Sequence, residues 1–128
     1  MKPLRKNIDL TISGETVSVS VDWEVIEIVE TVFGGMADLV VTDTLVNYPP
    51  RHKVADVICQ WVAKSNPGKD KAEVRSEVIT ARHTDFSAYV GAIQGAVLYS
   101  LREIDESQLD DLTSGKDLDE GEGDGDPT

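Results

Sequence analysis

The sequence predicts an α+β fold: a small N-terminal β-hairpin packed on a bundle of about four to five α-helices, followed by an acidic, largely disordered C-terminal tail. Three observations predict it. Ile8, Leu10 and Ile12, then Val17, Val19 and Val21, alternate with polar residues, the period-two pattern of strands with one buried face. In four later stretches the apolar residues recur at three- and four-residue intervals, the helical period. Acidic charge gathers at one end, because residues 103–128 hold eleven acids against Lys116 alone while residues 1–102 are nearly balanced. The chain therefore divides into a compact domain over 1–102 and a tail over 103–128.

Each element has a local cause. Ser13-Gly14 separates the two alternating runs, and glycine supplies the positive φ of a tight hairpin turn. Asp22 offers a side-chain oxygen to the free amides of a first helix, whose stripe is Val25, Ile26, Val29, Val32 and Phe33. Gly34-Gly35 ends it. Residues 36–50, MADLVVTDTLVNYPP, fit either a short helix or an extended segment, closed by Pro49-Pro50. A second helix is predicted over 51–65 on Val54, Val57, Ile58, Trp61 and Val62, and SNPG then turns the chain. Asp70 and Glu73 form a capping pair for a third.

The last predicted helix, 85–102 with Asp85 as its cap, carries no charge from Phe86 to Leu101. Phe86, Tyr89, Val90, Ile93, Val97 and Leu101 line one face, and the smaller residues Ala88, Gly91, Ala92 and Gly95, with Tyr99, make a second. A helix apolar on both sides is central in its domain or awaits a partner. Beyond Glu103, spaced apolar residues in an acidic, glycine-rich background predict disorder, at least from Ser114 onward.

Composition excludes several classes of function. One cysteine, Cys59, allows no internal disulfide and fits a reducing compartment. No apolar run approaches the roughly 20 residues of a membrane span, and MKPLRKNIDL lacks the apolar stretch of a signal peptide; a soluble, intracellular protein is expected. The basic residues are scattered, which disfavours direct nucleic-acid binding. His52 and His83 have no ligand at metal-binding spacing, Cys59 has no base beside it, and Glu24, Glu27 and Glu30 form a solvated helix face. No catalytic, metal or cofactor set can be assembled from these residues. Two binding candidates remain: Trp23, which either covers the hairpin end (the favoured reading) or stands exposed, and the face of Ala88, Gly91, Gly95 and Tyr99, which serves either packing within the domain or a partner.

The order of pieces carries a further signal. LTISGETVSVSV runs into a helix ending FGG, then come VADVICQWV, EVRSEVITA, the small-residue helix DFSAYVGAIQGAVLYSL and a polar tail. Over residues 8–102 this order resembles the tail assembly chaperones of long-tailed phages and gene transfer agents. The resemblance implies a non-enzymatic factor that binds the tape measure protein, and with it the tail tube protein, during assembly in the host cytoplasm, and that is absent from the mature virion. Self-association is compatible with it, and no cofactor is implied. VVTDTLVNYPP is more apolar, and the tail more acidic, than that family leads one to expect. The alternative from another class is an acidic decoy that occupies a DNA-binding protein, motivated by the charge of the tail.

Overall fold

Strands β1 (Lys6–Ile12) and β2 (Glu15–Val21) pair antiparallel, Ile8 opposite Val19 and Leu10 opposite Val17, in a computed structural model that describes residues 6–47 and 49–114. Ser13 and Gly14 both take positive φ, 52° and 78°, as a two-residue turn needs to match the strand twist. The six alternating aliphatic residues are all buried on one face of the hairpin, as the period-two pattern predicts.

Helix α1 (Trp23–Phe33) begins where Asp22, in extended conformation, accepts a hydrogen bond from the Glu24 amide at 3.0 Å. It ends at Gly34, whose φ of 74° lets its N–H close on Glu30 O. Val25, Ile28 and Val29 are buried. The Glu30 carboxylate accepts from the Ala37 amide at 2.9 Å and so ties this helix end to the next segment.

That segment, open between two conformations in the sequence, is helical over residues 37–47. A turn α2 (Ala37–Leu39), a π-helical stretch (Val40–Thr44) and a turn α3 (Leu45–Asn47) follow without a break. Within it the Leu45 amide reaches back five residues to Val40 O. Gln94 Nε2 donates to Val41 O at 3.0 Å, and a side chain entering the backbone ladder is a recognised cause of such widening. The wide turn keeps Val40, Val41 and Leu45 all buried.

Helices α4 (Arg51–Ser65), α5 (Lys71–Ile79) and α6 (His83–Ser100) complete the predicted bundle. Asp70 caps α5 through the Ala72 amide at 3.0 Å. Asp85 does not cap α6: the helix starts two residues earlier, after an extended Arg82 that makes no side-chain cap, and Asp85 lies in its first turn. Helix side chains engage carbonyls on both outer edges of the hairpin. Trp61 Nε1 donates to Ser20 O at 2.7 Å, Asn66 Nδ2 to Ser18 O at 2.8 Å, and Tyr89 Oη to Thr11 O at 2.7 Å. These bonds satisfy backbone groups that would otherwise template pairing with another chain.

One further helix lies in the stretch assigned to the tail. Helix α7 (Glu106–Ser114) folds back onto α6 with Leu109 fully buried. The reversal is built by a Schellman-type cap, Arg102 taking φ 63° while the Glu103 amide bonds Leu98 O and the Arg102 amide bonds Tyr99 O. Asp105 then accepts from the Gln108 amide, and Gln108 Oε1 accepts from the Asp105 amide, a reciprocal box that starts α7. The folded body thus extends past residue 102, and most of the expected disordered tail, 115–128, lies outside the described residues. Among the described residues no helix is long and apolar enough to cross a membrane.

Candidate functional site

Helix α6 presents three different flanks. Its inner stripe, including Ile93 and Val97, belongs to the core. The small-residue flank is occupied by α7: a Cβ added at Gly91 would lie 2.9 Å from Leu112 O, and one at Gly95 would lie 3.1 Å from Leu109 Cδ1 and 3.2 Å from Thr113 Cγ2. The two glycines therefore serve close helix approach within the chain.

A third flank, running through His83, Phe86, Ser87, Val90 and Gln94, borders an open trough of about 720 Å³. The spacing is that of one helix face. Leu45, Val46, Pro49 and Arg51 form the opposite wall. The π-helical stretch itself packs on α6 through the Gln94 bond to Val41 O, and the trough opens beside the residues that follow it. Val46, 60% exposed, stands at its edge, and Leu39, 57% exposed, lies earlier on the exposed side of the same segment. With Met36, half of the large apolar side chains exposed among the described residues fall between positions 36 and 46. Such concentration marks an interaction surface more than scattered exposure does.

The trough has its own electrostatic character. Among the described residues its charged and titratable lining is Arg51 and His83, with no carboxylate. Arg51 Nη1 donates to Ile79 O and Ala81 O, each at 2.7 Å, and the guanidinium lies 4.6 Å from the centroid of the Phe86 ring. Two long helices, α4 and α6, begin here, neither with a side-chain cap. Across α6 lies the opposite character: a cavity of about 300 Å³ lined by Asp9, Glu77, Asp85 and Tyr89, with no base among the described residues. There Ser13 Oγ donates to Glu77 at 3.1 Å. Burial, then the neighbouring Glu77 and Asp85, raise the Tyr89 phenol above its ordinary value.

The five candidate binding residues do not converge. Gly91 and Gly95 lie under α7, and Ala88 is exposed beside the acidic cavity. Tyr99 is half-buried near the end of α6, which meets the start of α1 through Ser100 Oγ and Asp22 O at 3.1 Å. Trp23, at the start of α1, is 64% exposed, so the favoured expectation that it covers the hairpin end is corrected. Asp22 fixes the helix start, which turns Val25 inward and Trp23 outward, and the hairpin end is already covered by Trp61 of α4.

The candidates for chemistry are also separated. His52 and His83 are exposed on different helices. Cys59 is buried, its Sγ 3.4 Å from Asp56 O, and burial pushes the thiol up, away from the thiolate a nucleophile needs. Glu30 bonds the Ala37 amide, Glu24 pairs with Lys64 at 3.7 Å, and Glu27 is exposed. Among the described residues no group of three or more His, Cys, Asp or Glu is arranged to hold a metal. The trough residues Val46, Phe86, Val90 and Arg51 were not singled out together from the sequence, although the apolar run LVVTDTLV was the available signal. No protein-family profile, curated protein or solved structure matches the chain.

Proposed function

We propose that this chain is a non-enzymatic phage tail assembly chaperone, which covers apolar helical segments of the tape measure protein while the tail tube protein assembles around it. The observation that carries the proposal is the open trough between Leu45–Pro49 and α6, together with exposed Leu39 and Val46. An apolar groove bordered by a rigid helix suits an amphipathic segment laid along it. A chaperone must bind its client by mass action and release it, and a shallow, open site fits that task better than an enclosed one. The order of hairpin, helices and small-residue helix that resembles the tail chaperones supports the same reading.

Coexpression with a phage tape measure protein is the test. The chaperone reading expects a complex that co-purifies and a larger soluble fraction of tape measure protein, both lost with Val46→Glu. No association, and no change in tape measure solubility, would discard it.

A further inference from the structure

We infer that the trough beside α6 takes an amphipathic segment of a partner protein that carries carboxylates next to its apolar anchors. The inference deepens the proposed client site and rests on that reading for the identity of the partner, but its chemistry is argued from the trough alone.

The trough lining is largely apolar, with Leu45, Phe86 and Val90 along it and Val46 at its lip. Its fixed charge comes from Arg51, with exposed Arg82 beside His83 in the chain and the imidazole N–H of His83 on the lining as a further donor. The nearest acid on α6, Asp85, lines the cavity on the other flank. Asp43, outside the lining and one turn before Asn47, accepts from Asn47 Nδ2 at 2.8 Å. Arg51 is held in place by two carbonyls through a single nitrogen, and its Nε and Nη2 have no partner among the described residues. A guanidinium fixed in this way at the mouth of an apolar groove presents donors in the planar geometry that a carboxylate accepts.

What makes this local pattern decisive is its conflict with the whole molecule. The chain carries a net charge of −12, and its long-range field attracts cationic peptides and repels anionic ones. A preference for an acidic peptide can arise only at a site whose short-range charge is reversed. Among the described cavities, the trough has that character.

The test uses the full-length chain and two fluorescent synthetic peptides of about five helical turns. Both carry leucines at one helical face, and they differ only in having Glu or Lys at the flanking positions. Anisotropy at near-physiological salt should show the Glu peptide binding at least about tenfold tighter. Val46→Ser should weaken it severalfold, and Arg51→Gln should remove the preference. Because Arg51 also braces the α5–α6 connection, His83→Glu at an exposed position provides the second variant and should narrow the preference too. Equal binding of the two peptides, tighter binding of the Lys peptide, or indifference to all three substitutions overturns the inference. So does Glu-peptide binding that appears only when the six acids of residues 117–126 are replaced by amides, since the chain's own tail would then be the occupant. A tape measure complex combined with a Lys-peptide preference removes this inference and leaves the chaperone; a Glu-peptide preference without that complex does the reverse.

Discussion

Replacing Gly91 by Ala sets two parts of the molecule against each other. Within α6 the change is favourable, because Ala in a helix interior is worth about 0.5–1 kcal/mol over Gly. Against α7 it is not. The new Cβ would lie 2.9 Å from Leu112 O, so the carbonyl must retreat by about 0.4 Å to reach an ordinary C···O separation near 3.3 Å. A backbone oxygen cannot rotate aside, and the turn of α7 that carries it has to move.

The movement matters because little holds α7 in place. Leu109 is fully buried, worth about 1.5–3 kcal/mol. The Lys6 pairs with Glu106 at 2.9 Å and Asp110 at 3.6 Å involve exposed carboxylates and add little. Nine residues are too few for an independent helix, so a lifted α7 unravels. We expect α7 amides in Gly91→Ala to lose about tenfold or more in hydrogen-exchange protection, equivalent to roughly 1.4 kcal/mol. The α4 and α6 amides and the global urea midpoint should hold or rise slightly. Gly95→Ala is the control: its Cβ meets Leu109 Cδ1 and Thr113 Cγ2, side-chain atoms that can turn away. Unchanged α7 protection in Gly91→Ala, or a larger loss in Gly95→Ala, would refute the packing argument.

Three more outcomes follow from the same structure. Ser13→Asn should raise stability by about 0.5 kcal/mol in a denaturant melt, because Asn tolerates the positive φ that Ser13 holds in the hairpin turn. Leu45→Ala should cost about 2–4 kcal/mol and its neighbour Val46→Ala under about 0.5 kcal/mol, a contrast that tests the register of the widened helix, since Leu45 is buried and Val46 exposed. Alkaline stability is set partly by Cys59 and Tyr89, both raised mainly by burial above ordinary values of 9.0 and 10.0. The unfolded chain releases these protons first, so their contribution is full below pH 9 and falls as pH climbs through 9 and beyond; urea midpoints at pH 8 and 10.5 should differ, and Cys59→Ala should flatten the difference.

The hairpin, α1, α4 and α5 were legible because each rests on short-range causes. Alternation set the strands, Asp22 and Asp70 set helix starts, and Gly34 set a helix end. The widened helix over 37–47 was not legible, because the hydrogen bond from Gln94 comes from a residue about fifty positions away. Helix α7 was obscured for a different reason. Its acids are exposed, and a single buried Leu109 gives too weak a periodic signal in so charged a stretch. The two faces of α6 were seen, but not which would be covered, since that depends on α7. The groove escaped because one wall was the unassigned segment.

If the chain is the chaperone proposed above, the placement of α7 also decides which face of α6 is available to its client. A partner docking on Gly91 and Gly95 must first expel Leu109, giving up about 1.5–3 kcal/mol, so its apparent affinity falls by roughly 10- to 150-fold. The trough carries no such cost, being open already. The two sites respond in opposite ways to Gly91→Ala. Loosening α7 should tighten a client that uses the small-residue face by up to that factor and leave a client that uses the trough unchanged. We expect the second result in a titration of the tape measure fragment against wild type and Gly91→Ala. A tightening of tenfold or more would move the client site from the trough to the face beneath α7, and would make α7 a competitor for it.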